Sequence, residues 1–137
     1  MGAATRGDKE TGTRIVGATP ILRTVNYPRA KDYYLDCLGF RLLDEGGDPP
    51  NFGVIERDEV VLFLNGWSGG PARSDGGWDA YLYVTGVDAL FDEVRQAGAK
   101  IARPIERAPY GMREFDLLDP DGNRICFGER AEPDAAD

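Results

Sequence analysis

An internal repeat constrains this chain more than any single motif does: the same order of elements is written twice along 137 residues. In the first half, Ala30, Tyr33, Tyr34, Cys37 and Leu38 fall at i, i+3, i+4, i+7 and i+8, the spacing of one buried helix face. Pro28 suits the first turn of that helix, and Gly39 suits the position just past its end. In the second half, Val87, Leu90, Phe91 and Val94 repeat the pattern. Thr85 and Asp88 are placed to cap its start and Gly98 to close it. A strand-like run precedes each helix, at 18–25 and 79–84, and three short ones follow each. Those after the first span 40–44, 52–57 and 60–65; those after the second span 100–103, 113–118 and 124–128. Gly46-Gly47, Arg57-Asp58 and Asp119-Pro120-Asp121-Gly122 read as the turns between them. The chain is therefore expected to be α+β: two βαβββ modules forming curled mixed sheets around a cleft, each helix on a convex face.

The folded domain is expected to cover 15–130, with modules at 15–65 and 79–130 joined by a glycine-rich linker at 66–78. Polar tails at 1–14 and 131–137 read as flexible. A hydrophobic content of 42% suffices for a core. No run approaches the roughly 20 apolar residues that span a bilayer, and the first residues lack the apolar segment of a secretory leader. A cytoplasmic protein without membrane contact follows as the expectation.

The chain has no histidine, which excludes imidazole bases, His-dependent triads and His-ligated zinc. Cys37 and Cys126 belong to no metal-spacing motif and read as reduced, partly buried thiols. A net charge of −8 points away from nucleic acid and toward a cationic small ligand, although solubility alone accounts for such acidity too.

Strand alternation sorts the candidate site residues. Asp79, Tyr81 and Tyr83 share one face while Ala80, Leu82 and Val84 share the other. An acid and two tyrosines suit a ligand wall better than a core. The same register groups Val61, Phe63 and Asn65. Trp67 and Trp78 bracket the glycine-rich segment, either as a lid over a cleft or as anchors pinning the loop. Arg113 and Glu114 are adjacent, so they face opposite sides. Asp79 and Glu114 are the acid–base candidates, and proton abstraction by either requires that burial raise its pKa. Pro20 cannot donate to a ladder, so it marks an edge or a bend.

The runs Ala30–Phe40 (AKDYYLDCLGF) and Leu117–Glu129 (LLDPDGNRICFGE) resemble the helix and last-hairpin signatures of the vicinal oxygen chelate (glyoxalase/bleomycin-resistance) superfamily. The segments Thr19–Leu22, Phe52–Ile55, Asp58–Leu64, Ala80–Phe91 and Pro109–Phe115 extend the likeness over about 15–130. Within the superfamily the chain is most similar to bleomycin-resistance proteins. The resemblance implies ligand contacts at Phe52, Asn65, Tyr81, Tyr83, Tyr110 and Gly111; Phe63, Asp79 and Arg113 complete the candidate set. It aligns Thr19, Phe63, Asp79 and Cys126 with the metal ligands of metal-dependent relatives, a set that does not make an octahedral site. No metal, no cofactor and no catalytic residue are therefore expected. A homodimer is implied, with Pro20 letting an N-terminal arm cross to the partner. The function implied is antibiotic resistance by drug binding: a cationic aromatic natural product, of the bleomycin type, held without chemistry. The alternative is a non-glyoxalase enzyme of the same scaffold acting on a small carbonyl or natural-product intermediate. A regulatory or interaction module is a third possibility.

Overall fold

A computed structural model describes residues 12–67 and 76–132. The expectations placed on residues 1–11, on most of the glycine-rich linker (68–75) and on 133–137 lie outside the described residues. The first module comprises β1 (Ile21–Arg23), α1 (Tyr27–Asp32) continuing as a π-helical turn (Tyr33–Cys37), β2 (Arg41–Gly47), β3 (Pro50–Arg57) and β4 (Val60–Asn65). The second comprises β5 (Ala80–Tyr83), α2 (Val87–Gln96), β6 (Lys100–Arg107), β7 (Met112–Leu118) and β8 (Arg124–Arg130). Each forms a four-stranded mixed sheet, in the orders β1-β4-β3-β2 and β5-β8-β7-β6. The first strand of each module lies parallel to the last, and the other pairings are antiparallel. This is the repeated βαβββ connectivity that the sequence predicts. Among the described residues, no helix is long and apolar enough to cross a membrane.

Alternation decides what each sheet buries. Leu22, Ile55, Leu62 and Leu64 of the first sheet share one buried cluster with Phe115, Leu117, Ile125 and Phe127 of the second. Tyr34, Leu38, Val87 and Val94 from the helical segments fill the same cluster. The helix-bearing faces of both sheets thus feed a common core, and the opposite faces lie outside it.

Polar contacts lock the modules together. The β7–β8 turn carries Asp119, whose Oδ2 accepts from Tyr34 Oη at 2.7 Å and from Asn123 Nδ2 at 2.8 Å. That Asn123 amide also donates to the Arg23 carbonyl at 2.8 Å. Asp121 Oδ1 accepts from Val25 N and Arg29 Nη2 at 2.9 and 3.0 Å. Arg57 pairs with Glu93 through two hydrogen bonds, at 2.8 and 3.1 Å. Cys37 and Cys126 are both free and buried.

Three local expectations are corrected. The reversal after β2 falls at Asp48-Pro49 rather than at Gly46-Gly47, which pair with Phe52 and Pro50 inside the ladder. Pro49 has no N–H for a ladder and sits in the two-residue turn, while Pro50 takes the first position of β3, where a strand tolerates proline. The start of α2 is not capped by Thr85 or Asp88. Gly86 holds the cap position at φ 79° without a side-chain bond of its own. The Glu129 carboxylate reaches over from β8 and accepts from both Gly86 N and Val87 N at 3.0 Å. A carboxylate beside the positive end of the helix does the capping from a distance in sequence. Finally, β6 continues past Arg103 through Pro104 with register shifts on both sides of Arg103. Edge position lets a strand tolerate that proline.

Candidate functional site

The helix-free faces of the two sheets each carry an aromatic surface. On the first, Phe52 stacks on Trp67 with centroids 4.4 Å apart and tilts against Phe63 at 5.3 Å. Asn65 Oδ1 accepts from Trp67 N at 2.9 Å, and Trp67 Nε1 donates to Asn51 Oδ1 at 2.8 Å. The first bond fixes the Trp67 backbone and the second holds its indole against the sheet. On the second, Tyr81 contacts Trp78 and Tyr83, each at 5.1 Å. The ring contacts run within each surface.

Beneath the second surface lies a charged floor. Glu114 and Asp116 occupy alternate positions of β7 and are 0% and 1% exposed, while Phe115 and Leu117 between and beside them point into the core. Two buried carboxylates demand compensation. Arg103 on β6 supplies it, with Nη2 2.9 Å from Glu114 Oε1 and 2.8 Å from Asp116 Oδ1. Asp116 Oδ2 accepts from Arg124 Nε at 2.8 Å and Trp78 Nε1 at 3.2 Å. Tyr81 Oη donates to Glu114 Oε2 at 2.6 Å, and Tyr110 Oη donates to Oε1.

These bonds set the protonation states. Burial alone pushes Glu114 up, but the hydrogen bonds from Tyr110, Tyr81 and Arg103 outweigh it and hold the carboxyl below its ordinary range. Asp116 is likewise pushed up by burial, and the hydrogen bonds from Arg103 and Arg124 outweigh this and hold it below its ordinary range. In return, the hydrogen bond to Glu114, followed by burial, raises Tyr110 to about 12. Burial, then the same carboxylate, pushes Tyr81 up as well. The floor therefore contains carboxylates rather than acids, and the wall contains phenols rather than phenolates.

The structure places the nine candidate residues in three groups. Phe52, Phe63 and Asn65 lie together on the first surface. Tyr81, Tyr83 and Tyr110 lie on the second, with Gly111 in the turn beside Tyr110 at φ 86°. Asp79 sits at the edge of that sheet, where its Oδ2 accepts from Arg124 N at 2.8 Å. Arg113 points the other way: its guanidinium holds Asp88 of α2 at 2.7 Å, so the β7 residue that faces the aromatic wall is Glu114. A hollow of about 570 Å³ does lie at the module junction, but on the helix side, lined by Phe40, Leu82, Leu90 and Phe127. Of the nine residues only Tyr83 borders it.

Arg103 and Asp116 belong to the candidate site and were missed by sequence reading. A usable signal existed: acids at 114 and 116 alternate with Phe115 and Leu117, so both acids share one face and need a cation on a neighbouring strand.

The donor set at the aligned metal positions does not fit a metal. Thr19 offers a hydroxyl and Phe63 a ring. Burial, then Asp116, pushes the Cys126 thiol up, which keeps it protonated. The Arg103 guanidinium, already a cation, stands 3.6 Å from its sulfur. Asp79 is the single anionic oxygen donor there. Among the described residues, no three His, Cys, Asp or Glu side chains are grouped to share an ion.

Repeated βαβββ modules around a shared core define a class, and the sequence comparison names it. Residues 14–127 match the Glyoxalase/Bleomycin resistance protein/Dioxygenase superfamily, and the chain belongs to that family. No curated protein matches it. Among solved structures, it is similar to a bleomycin-binding protein from bleomycin-producing Streptomyces verticillus complexed with copper(II)-bleomycin. The identity is 27% and the TM-score 0.64, over 88% of this chain and 99% of that one. TioX from Micromonospora sp. ML1 aligns at 22% identity and TM-score 0.67, over 83% of this chain and 99% of its own. A lactoylglutathione lyase from Agrobacterium tumefaciens aligns at 18% and 0.66, over 85% and 95%. These last two likenesses speak for the fold alone.

Proposed function

We propose that this chain is a binding protein that holds a cationic, aromatic small molecule without chemical change, in the manner of a drug-sequestering resistance protein. The observation that carries this reading is the wall of Trp78, Tyr81, Tyr83 and Tyr110 standing over two ionised carboxylates. Flat π faces stack on planar heterocycles, each contact worth on the order of 1 kcal/mol, and they attract cations. The floor and a net charge of −8 add attraction for positive charge. The likeness to a bleomycin-binding protein at 27% identity supports the same reading.

The two aromatic surfaces flank a common core, so a ligand sandwiched between them needs two copies of the chain. We infer a homodimer in which the first sheet of one protomer faces the second sheet of its partner, giving two equivalent clefts. Ile15 and Val16, 95% and 83% exposed on the arm before Pro20, are apolar surface that a second copy would cover. The enzyme reading has less behind it: Glu114, its best base, accepts three hydrogen bonds and is held as a weak base.

Titration with metal-free and copper(II)-loaded bleomycin tests this, read by the fluorescence of Trp67 and Trp78, one on each surface. The reading expects saturable binding at one ligand per chain, unchanged ligand on recovery, and loss of binding in Tyr81→Ala or Tyr110→Ala. Chemical turnover of the ligand, or no binding, overturns it.

A further inference from the structure

Glu114 does more than add negative charge. Its side chain lies on the helix-free face because Phe115 and Leu117 take the core-facing positions of β7. Arg103 Nη2 fixes its Oε1 from one side at 2.9 Å. Tyr81 arrives from β5 and Tyr110 from the β6–β7 turn, each with its hydroxyl on one of the two carboxylate oxygens. Around the group stand Asp116 on the same strand, Glu106 hydrogen-bonded to Arg103 at 3.0 Å, Arg124 on Asp116, and the Cys126 thiol. Three carboxylates against two guanidiniums leave one negative charge in excess.

A phenol has one proton to give and two lone pairs to offer. An ionised carboxylate can only accept, so both phenols must donate to it. We propose that Glu114, held by Arg103, is a positioning residue that sets the hydrogen-bond polarity of the wall. By taking the protons of Tyr81 and Tyr110 it leaves their oxygens as acceptors only, so the site selects N–H-rich cations such as amidinium, guanidinium and ammonium groups. A carboxylate or phosphate meets two oxygens with no proton to give and an excess of like charge. Hydrogen bonding to a carboxylate also makes each phenol oxygen a better acceptor. This inference rests on the binding-protein reading above and adds the chemical class that the wall accepts.

Benzamidinium and benzoate test it, since they share a ring and a size and differ in polarity. Nuclear magnetic resonance titration of the full chain, followed at the Trp78 indole, reads binding at the wall. Benzamidinium is expected to saturate at on the order of millimolar concentration, as fits a fragment of its size, and benzoate is expected to leave the wall unshifted. Glu114→Gln presents an amide that donates to a tyrosine oxygen, and it should weaken benzamidinium about tenfold. Tyr110→Phe, which leaves Glu114 in place, should weaken it too. A spectrophotometric tyrosine titration gives a readout without ligand: Tyr27, Tyr33, Tyr34, Tyr81 and Tyr110 all ionise late in the wild type, and Glu114→Gln should bring forward two of them, Tyr81 and Tyr110. Benzoate binding as tightly as benzamidinium overturns the inference, as does absence of benzamidinium binding or an unchanged tyrosine titration in the variant. Failure of bleomycin to bind while benzamidinium is still preferred would overturn the drug reading and leave this one standing. Bleomycin binding without that preference would do the reverse.

Discussion

Tyr81 reaches Glu114 by lying across Gly128. Gly128 pairs with Glu114 in the β7–β8 ladder and with Tyr83 in the β5–β8 ladder, so it stands between the strand of the donor and the strand of the acceptor. A Cβ there would lie 2.7 Å from Tyr81 Cζ and collide with the hydroxyl. The absent side chain is the slot in which the phenol rests. Gly128→Ala should therefore expel the ring from its place over β8 and break the Tyr81–Glu114 bond. A cost of about 1–3 kcal/mol is expected from the overpacking. Urea denaturation measures the loss, and a tyrosine titration shows Tyr81 ionising earlier.

The junction between modules depends on a few buried polar groups. Tyr34→Phe removes one donor from Asp119, whose Oδ2 keeps its bond from Asn123. A loss of about 1 kcal/mol is expected. Asn123→Ala strips that bond and the one to the Arg23 carbonyl together, so a larger loss, about 2–3 kcal/mol, is expected. Equilibrium urea unfolding of both variants checks the order, and equal losses would contradict it.

Stability should depend on pH through two opposed groups of carboxyls. Glu114 and Asp116 are held below their ordinary values. Their contribution is present above the unfolded-state pKa, near about pH 4, and is lost as pH falls through their lower folded values. Asp119 behaves in the opposite sense, because burial outweighs the bonds from Tyr34 and Asn123 and raises it. Its contribution is full below about pH 4 and is lost as pH rises through the raised value. Urea midpoints should therefore drop on acidification below about pH 4 in the wild type. The drop should flatten in Glu114→Gln/Asp116→Asn. The advantage of wild type over Asp119→Asn should shrink from acid to neutral pH.

The cap on α2 gives a further check. Glu129→Ala removes the acceptor that serves Gly86 N and Val87 N, and it should lower the melting temperature. Glu129→Gln keeps an oxygen acceptor while removing the charge, so it should lower the melting temperature less. Thermal unfolding by circular dichroism decides, and equal losses would point to charge rather than hydrogen bonding as the source of the effect.

What the sequence revealed and what it hid divide along one physical line. The apolar spacing of Val87, Leu90, Phe91 and Val94, the left-handed glycines 39 and 98, and the alternation of Tyr81 and Tyr83 are local, and each is legible from neighbours in the chain. The Glu129 cap, the Asp119 latch and the Arg103 pairing join residues that only the sheet order brings together. Asp88 illustrates the limit: it sits at a capping position by spacing, yet Arg113 on β7 holds its carboxylate. Of the candidate site, Phe63, Tyr81 and Tyr83 were grouped by alternation, Phe52 and Tyr110 by the family resemblance, and Glu114 stood out as an acid, whereas its pairing with Arg103 beside Asp116 was not legible. Arg103 lay inside the expected strand 100–103, but its pairing with Glu114 and Asp116 depends on the β6–β7 register, which no local pattern encodes.

The central claim is a binding cleft shared between two copies of the chain, and a complementation titration tests it most directly. Phe52→Ala damages the first surface and Tyr81→Ala the second, so each variant alone should form dimers with two damaged clefts and bind copper(II)-bleomycin poorly. In mixed dimers, one cleft collects both damaged surfaces and the other collects both intact ones. Calorimetric titration of an equimolar mixture, after exchange of subunits, is predicted to recover wild-type affinity at a fraction of the sites. A mixture that binds no better than either variant alone would contradict the account.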